Sequence, residues 1–166
     1  MTTPGTVSQG AEQLAIEHWI YNTLITDTTL AGLMPDGVDI RTQVHEAEAP
    51  ATLPYPLIVF QFVTGKDVPT IGGPGRLISR NLYQVVAMFE KNVTKNIQPV
   101  VNRIDQLMIT NLAIQTITLS DDTIWTARIG SYRDAPISFT ENNNGRRIFH
   151  KGGQYSIDCQ ESQVSS

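Results

Sequence analysis

Two runs of strand-forming residues, Leu57–Thr64 and Leu77–Glu90, flank a stretch rich in glycine and proline, and they constrain the whole chain. Along a strand, alternate side chains point to opposite faces. Leu57–Thr64 would place Leu57, Val59, Gln61 and Val63 on one face and Ile58, Phe60, Phe62 and Thr64 on the other. Both faces are mainly apolar, whereas an antiparallel strand with one wet face alternates more cleanly. The strand is therefore covered on both sides within the chain, or one face meets another subunit. Leu77–Glu90 puts Tyr83, Val85, Ala87 and Phe89 on one face and Leu82, Gln84, Val86 and Met88 on the other. Together the runs predict a hairpin with a long tip, Gly65–Arg76, that carries four glycines and two prolines.

Helical periodicity precedes and follows this hairpin. Ile16, Trp19, Ile20, Thr23 and Leu24 recur at three- and four-residue steps, which predicts a helix from about Gln9 to Ile25 with Ser8 as its N-cap. Asp27–Met34 reads as one or two further helical turns, stopped by Pro35-Asp36-Gly37. Val38–Val44 reads as a modest strand, and the Ala/Pro-rich run Glu46–Pro54 cannot be a central one. Ile97, Val100, Val101, Ile104, Leu107 and Met108 form the apolar stripe of a second main helix, capped by Thr94 or Asn96. Residues 111–120 read as a short strand. Thr123–Tyr132 and Arg147–Cys159 follow as strands, with a hairpin-turn signal at Asn142-Asn143-Asn144-Gly145 and a bulge expected at Gly152-Gly153. The expected architecture is one α+β domain over residues 1–166. It has a largely antiparallel four- to five-stranded sheet with two main helices packed on one face. Residues 1–10 and 161–166 are expected to be loose arms.

Composition narrows the function classes. The net charge of −4 argues against a nucleic-acid binder held by phosphate contacts. One cysteine, Cys159, leaves no internal disulfide and no multi-cysteine zinc site. The longest apolar run, Val85–Phe89, is too short to span a bilayer, so no membrane partner is expected, and the first residues carry no signal-peptide pattern. Charge is also uneven: residues 1–60 hold seven acids and one base, while residues 61–166 hold nine acids and eleven bases. Such polarity fits either differing solvated faces or a molecule whose unlike ends meet.

The motifs that could carry chemistry are incomplete. His45-Glu46-Ala47-Glu48 begins like a zinc-protease helix, but the second histidine is absent and prolines follow closely. His18 reads as a helix-surface or interface residue. Cys159 alternates with Ile157 and Tyr155 and reads as a small buried thiol. No Gly-x-Ser-x-Gly elbow is present, and Asp121-Asp122 lacks further cation ligands. Gly72-Gly73-Pro74-Gly75-Arg76 opens onto a strand, whereas a phosphate cradle opens onto a helix N-terminus. Asn92-Val93-Thr94 matches a glycosylation acceptor without a secretory signal. The expectation is a non-enzymatic protein with no catalytic, cofactor or metal residues. Its sheet is too apolar for two helices to cover, as in a subunit that assembles.

Pro54-Tyr55-Pro56-Leu57-Ile58-Val59-Phe60-Gln61-Phe62-Val63-Thr64-Gly65 resembles the proline-tyrosine, apolar-strand, glycine signature of the tail terminator (tail-completion) proteins of tailed bacteriophages. The order around it is similar too: an N-terminal helix, a turn at Leu30–Met34, the strand Asn81–Phe89, a helix ending near Leu107 and a closing strand at Gly153–Asp158. The likeness spans about residues 11–160, and the 65–76 tip is longer and richer in glycine than that pattern. The resemblance implies a virion protein assembled in the bacterial cytoplasm. It would form a homohexameric ring that caps the tail tube, stops its polymerisation and joins the tail to the head connector. Its partners would be itself, the tail tube protein and the connector, with no cofactor. A head-completion or sheath-terminating ring subunit, and a small ligand-binding or hydrolytic domain, are the alternative readings. The tip residues Lys66, Asp67, Gly72, Gly73 and Arg76 are the candidate partner contacts, since long loops are commonly functional and glycines admit close backbone approach.

Overall fold

The structure is a computed structural model that describes residues 9–50, 52–69, 76–90, 97–119 and 122–161. The first helix, α1 (Gln9–Ile25), forms where the periodicity places it, with Ala15, Ile16, Trp19, Ile20 and Leu24 buried along one side. The proposed cap Ser8 lies outside the described residues. Asp27 caps the short α2 (Thr28–Ala31) by accepting a hydrogen bond from the Leu30 amide at 2.6 Å. The turn at Pro35–Gly37 follows, with Gly37 at φ +79°, where a glycine has no steric cost.

The next segment departs from expectation. Asp39 accepts from the Arg41 amide at 2.9 Å and starts a 3₁₀ turn over Ile40–Thr42. The strand predicted over Val38–Val44 therefore begins late, as β1 (Val44–Glu46). The proline-rich run then carries the chain back along the edge, so β1 lies parallel to β2 (Leu57–Pro69), with Val44 opposite Ile58. β3 (Arg76–Glu90) returns antiparallel to β2. The helix α3 (Ile97–Met108) buries five residues of its predicted stripe, with Leu107 half-buried; its candidate caps Thr94 and Asn96 are outside the described residues. β4 (Thr110–Thr118), β5 (Ile124–Asn143) and β6 (Arg146–Glu161) complete the sheet.

The strand order is β1-β2-β3-β6-β5-β4. The expected four- to five-stranded, largely antiparallel sheet with two main helices is thus corrected to a curled, mixed six-stranded sheet with three helices. Two sequence features hid the difference. The parallel strand β1 is only three residues long. β5, expected to end at Tyr132, runs on through Pro136 to Asn143. A proline is tolerated there because β4 pairs β5 only as far as Ser131, leaving the outward edge free.

The β5–β6 turn forms at Asn144-Gly145, both with positive φ, as the sequence predicted. The bulge falls elsewhere than expected. β6 runs in register with β3 through Gly152 and Gly153, and the irregularity lies on β5 between Arg133 and Ala135. The two glycines instead permit close approach: a Cβ on Gly152 would sit 2.1 Å from the Val85 carbonyl oxygen.

α1 and α3 pack on one face of the sheet, and α2 packs against both of them. The core between the layers joins Ile16, Ile20 and Ile104 to Phe60, Val85, Phe89, Ile129 and Ile157. Trp19 is buried with them. Cys159 is buried in the same layer, opposite Ser79 and Ile129, as its alternation predicted.

Candidate assembly surface

The face of the sheet turned away from the helices is built in rows set by strand register. Leu57, Met88, His150 and Phe139 stand side by side across β2, β3, β6 and β5. The next row is Val59, Val86, Gly152 and Ile137, and the next Gln61, Gln84, Gln154 and Ala135. The apolar rows line a trough of about 520 Å³, bordered on one side by Ala47–Pro50 and Tyr55. Leu57, Val59, Val86 and Ile148 are buried in it. This resolves the doubly apolar reading of Leu57–Thr64. Up to Phe60 the strand is covered on both sides within the chain. From Gln61 to Asp67 it is exposed, including Phe62 and Val63.

His150 sits in the wall of the trough. Its ring stacks on Phe139 with centroids 4.2 Å apart, and Nε2 lies 3.2 Å from Glu141 Oε2. Burial pushes its pKa below the ordinary histidine value, and Glu141 pulls the other way. At the trough's end Arg146 grips Glu90 through two bonds of 2.8 Å and lies over the Tyr55 ring. Nothing in the sequence marked this group: His150, Phe139 and Glu141 meet across the β5–β6 hairpin, and Glu90 and Tyr55 reach Arg146 from distant parts of the chain.

The candidate tip is shorter than expected. Gly65–Pro69 continues β2 as paired strand opposite Arg76–Asn81, after a bulge at Val63. Lys66 and Asp67 are therefore exposed strand residues, paired with Arg80 and Ser79. Lys66 and Arg80 line a shallow concavity of about 330 Å³ with Leu82 and Tyr132. Asp67 borders a second one beside Gln13 and Asn81. Arg80 is fixed by Asp158 at 2.6 and 2.9 Å, a pairing that raises the pKa of its guanidinium. Arg76 opens β3, and Gly72 and Gly73 lie outside the described residues.

The histidines are dispersed: His18 is exposed on α1, and His45 Nε2 lies 3.0 Å from the Thr42 carbonyl. Among the described residues no group of three or more His, Cys, Asp or Glu could hold a metal ion. No helix among them is long and apolar enough to cross a membrane.

By architecture the chain belongs to the α+β class, a curled mixed sheet with α1 and α3 on one face. No protein-family model and no curated protein matches it. Among solved structures its fold is similar to a chain of the virion of a native gene transfer agent particle, with a TM-score of 0.56 at 12% identity. The match covers 89% of this chain and 98% of that one. At such identity the likeness is one of fold.

Proposed function

We propose that the chain is a virion structural protein, a tail terminator whose ring caps the tail tube, stops its polymerisation and joins the tail to the head connector. The carrying observation is the fold likeness to a virion chain over nearly the full length of both. The tail-terminator-like segment 54–65 supports the finer role, because it builds β2 and the trough beneath it. In this reading the protein acts by assembly and not by catalysis. A reconstruction of the particle tests it directly. A hexameric ring of this chain between tail tube and connector is expected, and any other position or symmetry overturns the reading.

The exposed end of the β2–β3 hairpin is proposed to meet a partner through Lys66 and Asp67. The Lys66 side chain is exposed, so the charge reversal Lys66→Glu should leave folding within about 0.5 kcal/mol. Joining of tails to heads should fall sharply. Normal joining by a folded variant would show that this end makes no essential contact.

A further inference from the structure

β4 is an edge strand along its whole length. An open edge presents unpaired amides and carbonyls, and native proteins guard such edges with charges, prolines, bulges or brevity. The other open edges here are guarded. β1 has three residues. β2 beyond Phe60 has a bulge at Val63 and carries Lys66, Asp67 and Pro69. β5 beyond Ser131 has Arg133, Asp134, Pro136 and a bulge. β4 has a register irregularity between Thr110 and Ala113, but from Ala113 to Thr118 it pairs with β5 unbroken and reads Ala-Ile-Gln-Thr-Ile-Thr, free of charge, glycine and proline. Ile117 is buried and α1 packs against the strand, so its edge is held in place. Leu112 and Ile114 remain 61% and 65% exposed.

We infer that β4 pairs through its free edge with the opposite end of the sheet, the β1–β2 edge, in a second copy of the chain. The inference rests on the ring reading and gives it an interface. A closed ring needs two unlike surfaces on each subunit. An unguarded strand at one end and a guarded edge at the other are such a pair, because edge charges reject an arbitrary strand and admit a complementary one. The charges agree. The β1–β2 end exposes Asp36, Asp39, Glu46 and Glu48 around Arg41, with Lys66 and Asp67 further along β2. At the β4 end, Arg128 stands exposed opposite Ile114 with no ion partner among the described residues. The exposed Phe62 and Val63 of the receiving edge meet the apolar side chains of β4.

The test uses the full chain at high concentration, with mass read by native mass spectrometry. Ile114→Lys adds to β4 the guard it lacks, at a position exposed enough to spare the fold, and should weaken association at least ~10-fold. In parallel, Ile114→Cys and Val63→Cys in one chain should give a ladder of oligomers with a short bismaleimide. Cys159 is buried and does not compete. A hexamer lost in Ile114→Lys, together with the ladder, is the expected result. A hexamer indifferent to Ile114→Lys overturns the edge assignment and leaves the ring reading standing. A smaller oligomer lost in Ile114→Lys, with the ladder's first rung, supports the edge and overturns the ring. Cross-linking by Ile114→Cys alone means β4 meets β4 and overturns the unlike pairing. A chain that stays monomeric overturns both.

Discussion

Two tyrosines carry their hydroxyl groups into the core, and each is met by a carboxylate. Tyr83 donates to Glu17 at 3.2 Å, and Tyr155 donates to Asp105. Burial first, and then the neighbouring carboxylate, raise the pKa of both phenols, so both stay protonated donors. Asp105 also accepts from Arg133 at 2.6 Å, so Tyr155→Phe would not leave it unpaired. That substitution should cost about 1.5–3 kcal/mol in urea unfolding, the range for a lost bond to a charged group. His150 adds a dependence on pH. Its neutral form is favoured in the folded protein, so the unfolded chain binds a proton more readily. The stabilisation is present above the ordinary value of 6.5 and is lost as pH falls below it. Unfolding free energy should therefore drop between about pH 7.5 and about pH 5.5. His150→Phe, which can keep the stack on Phe139, should show a smaller drop; equal drops would place the dependence in other groups.

Among the elements, the helices were legible because an apolar period near 3.6 survives any tertiary context. α1 matches its predicted bounds, and the α3 stripe is buried as read. Ile104 is fully buried between α3 and the sheet, so Ile104→Ala should cost about 2–5 kcal/mol. Thermal or urea unfolding reads it directly; a loss under about 0.5 kcal/mol would mean a surface position. Strand limits were less legible, for local reasons. Asp39 diverts Ile40–Thr42 into a 3₁₀ turn by accepting a nearby amide, a competition that β propensity does not register. Gly65 and Pro69 read as loop, yet both pair with β3 on an open edge, with a register shift just before Pro69. Of the candidate contacts, Lys66 and Asp67 were read as loop residues and lie instead on exposed, paired strand. The trough around His150 was invisible in the sequence, since Glu141 and Phe139 reach it only after β5 passes Pro136.

For the molecule as a whole, the sheet consists of two sets of three strands, β1-β2-β3 and β5 with its neighbours, sewn together only where β3 meets β6. β6 lies in the interior of the sheet but follows all its neighbours in the chain. Deleting residues 146–161 would therefore split the sheet in two and not trim its margin. The truncated chain should lose cooperative urea unfolding; a sharp transition in that variant would show that one half stands alone. The same order bears on how the protein is made. While a ribosome is still at work on β5, neither hairpin has the strand that joins them, and α1, synthesised first, still lacks part of the surface it packs against. Native structure must then arrive late and through distant contacts, which in small domains means folding in milliseconds to seconds and not microseconds. Until then the unguarded β4 waits beside other nascent copies, so the strand suited to assembly is also the one most exposed to premature association.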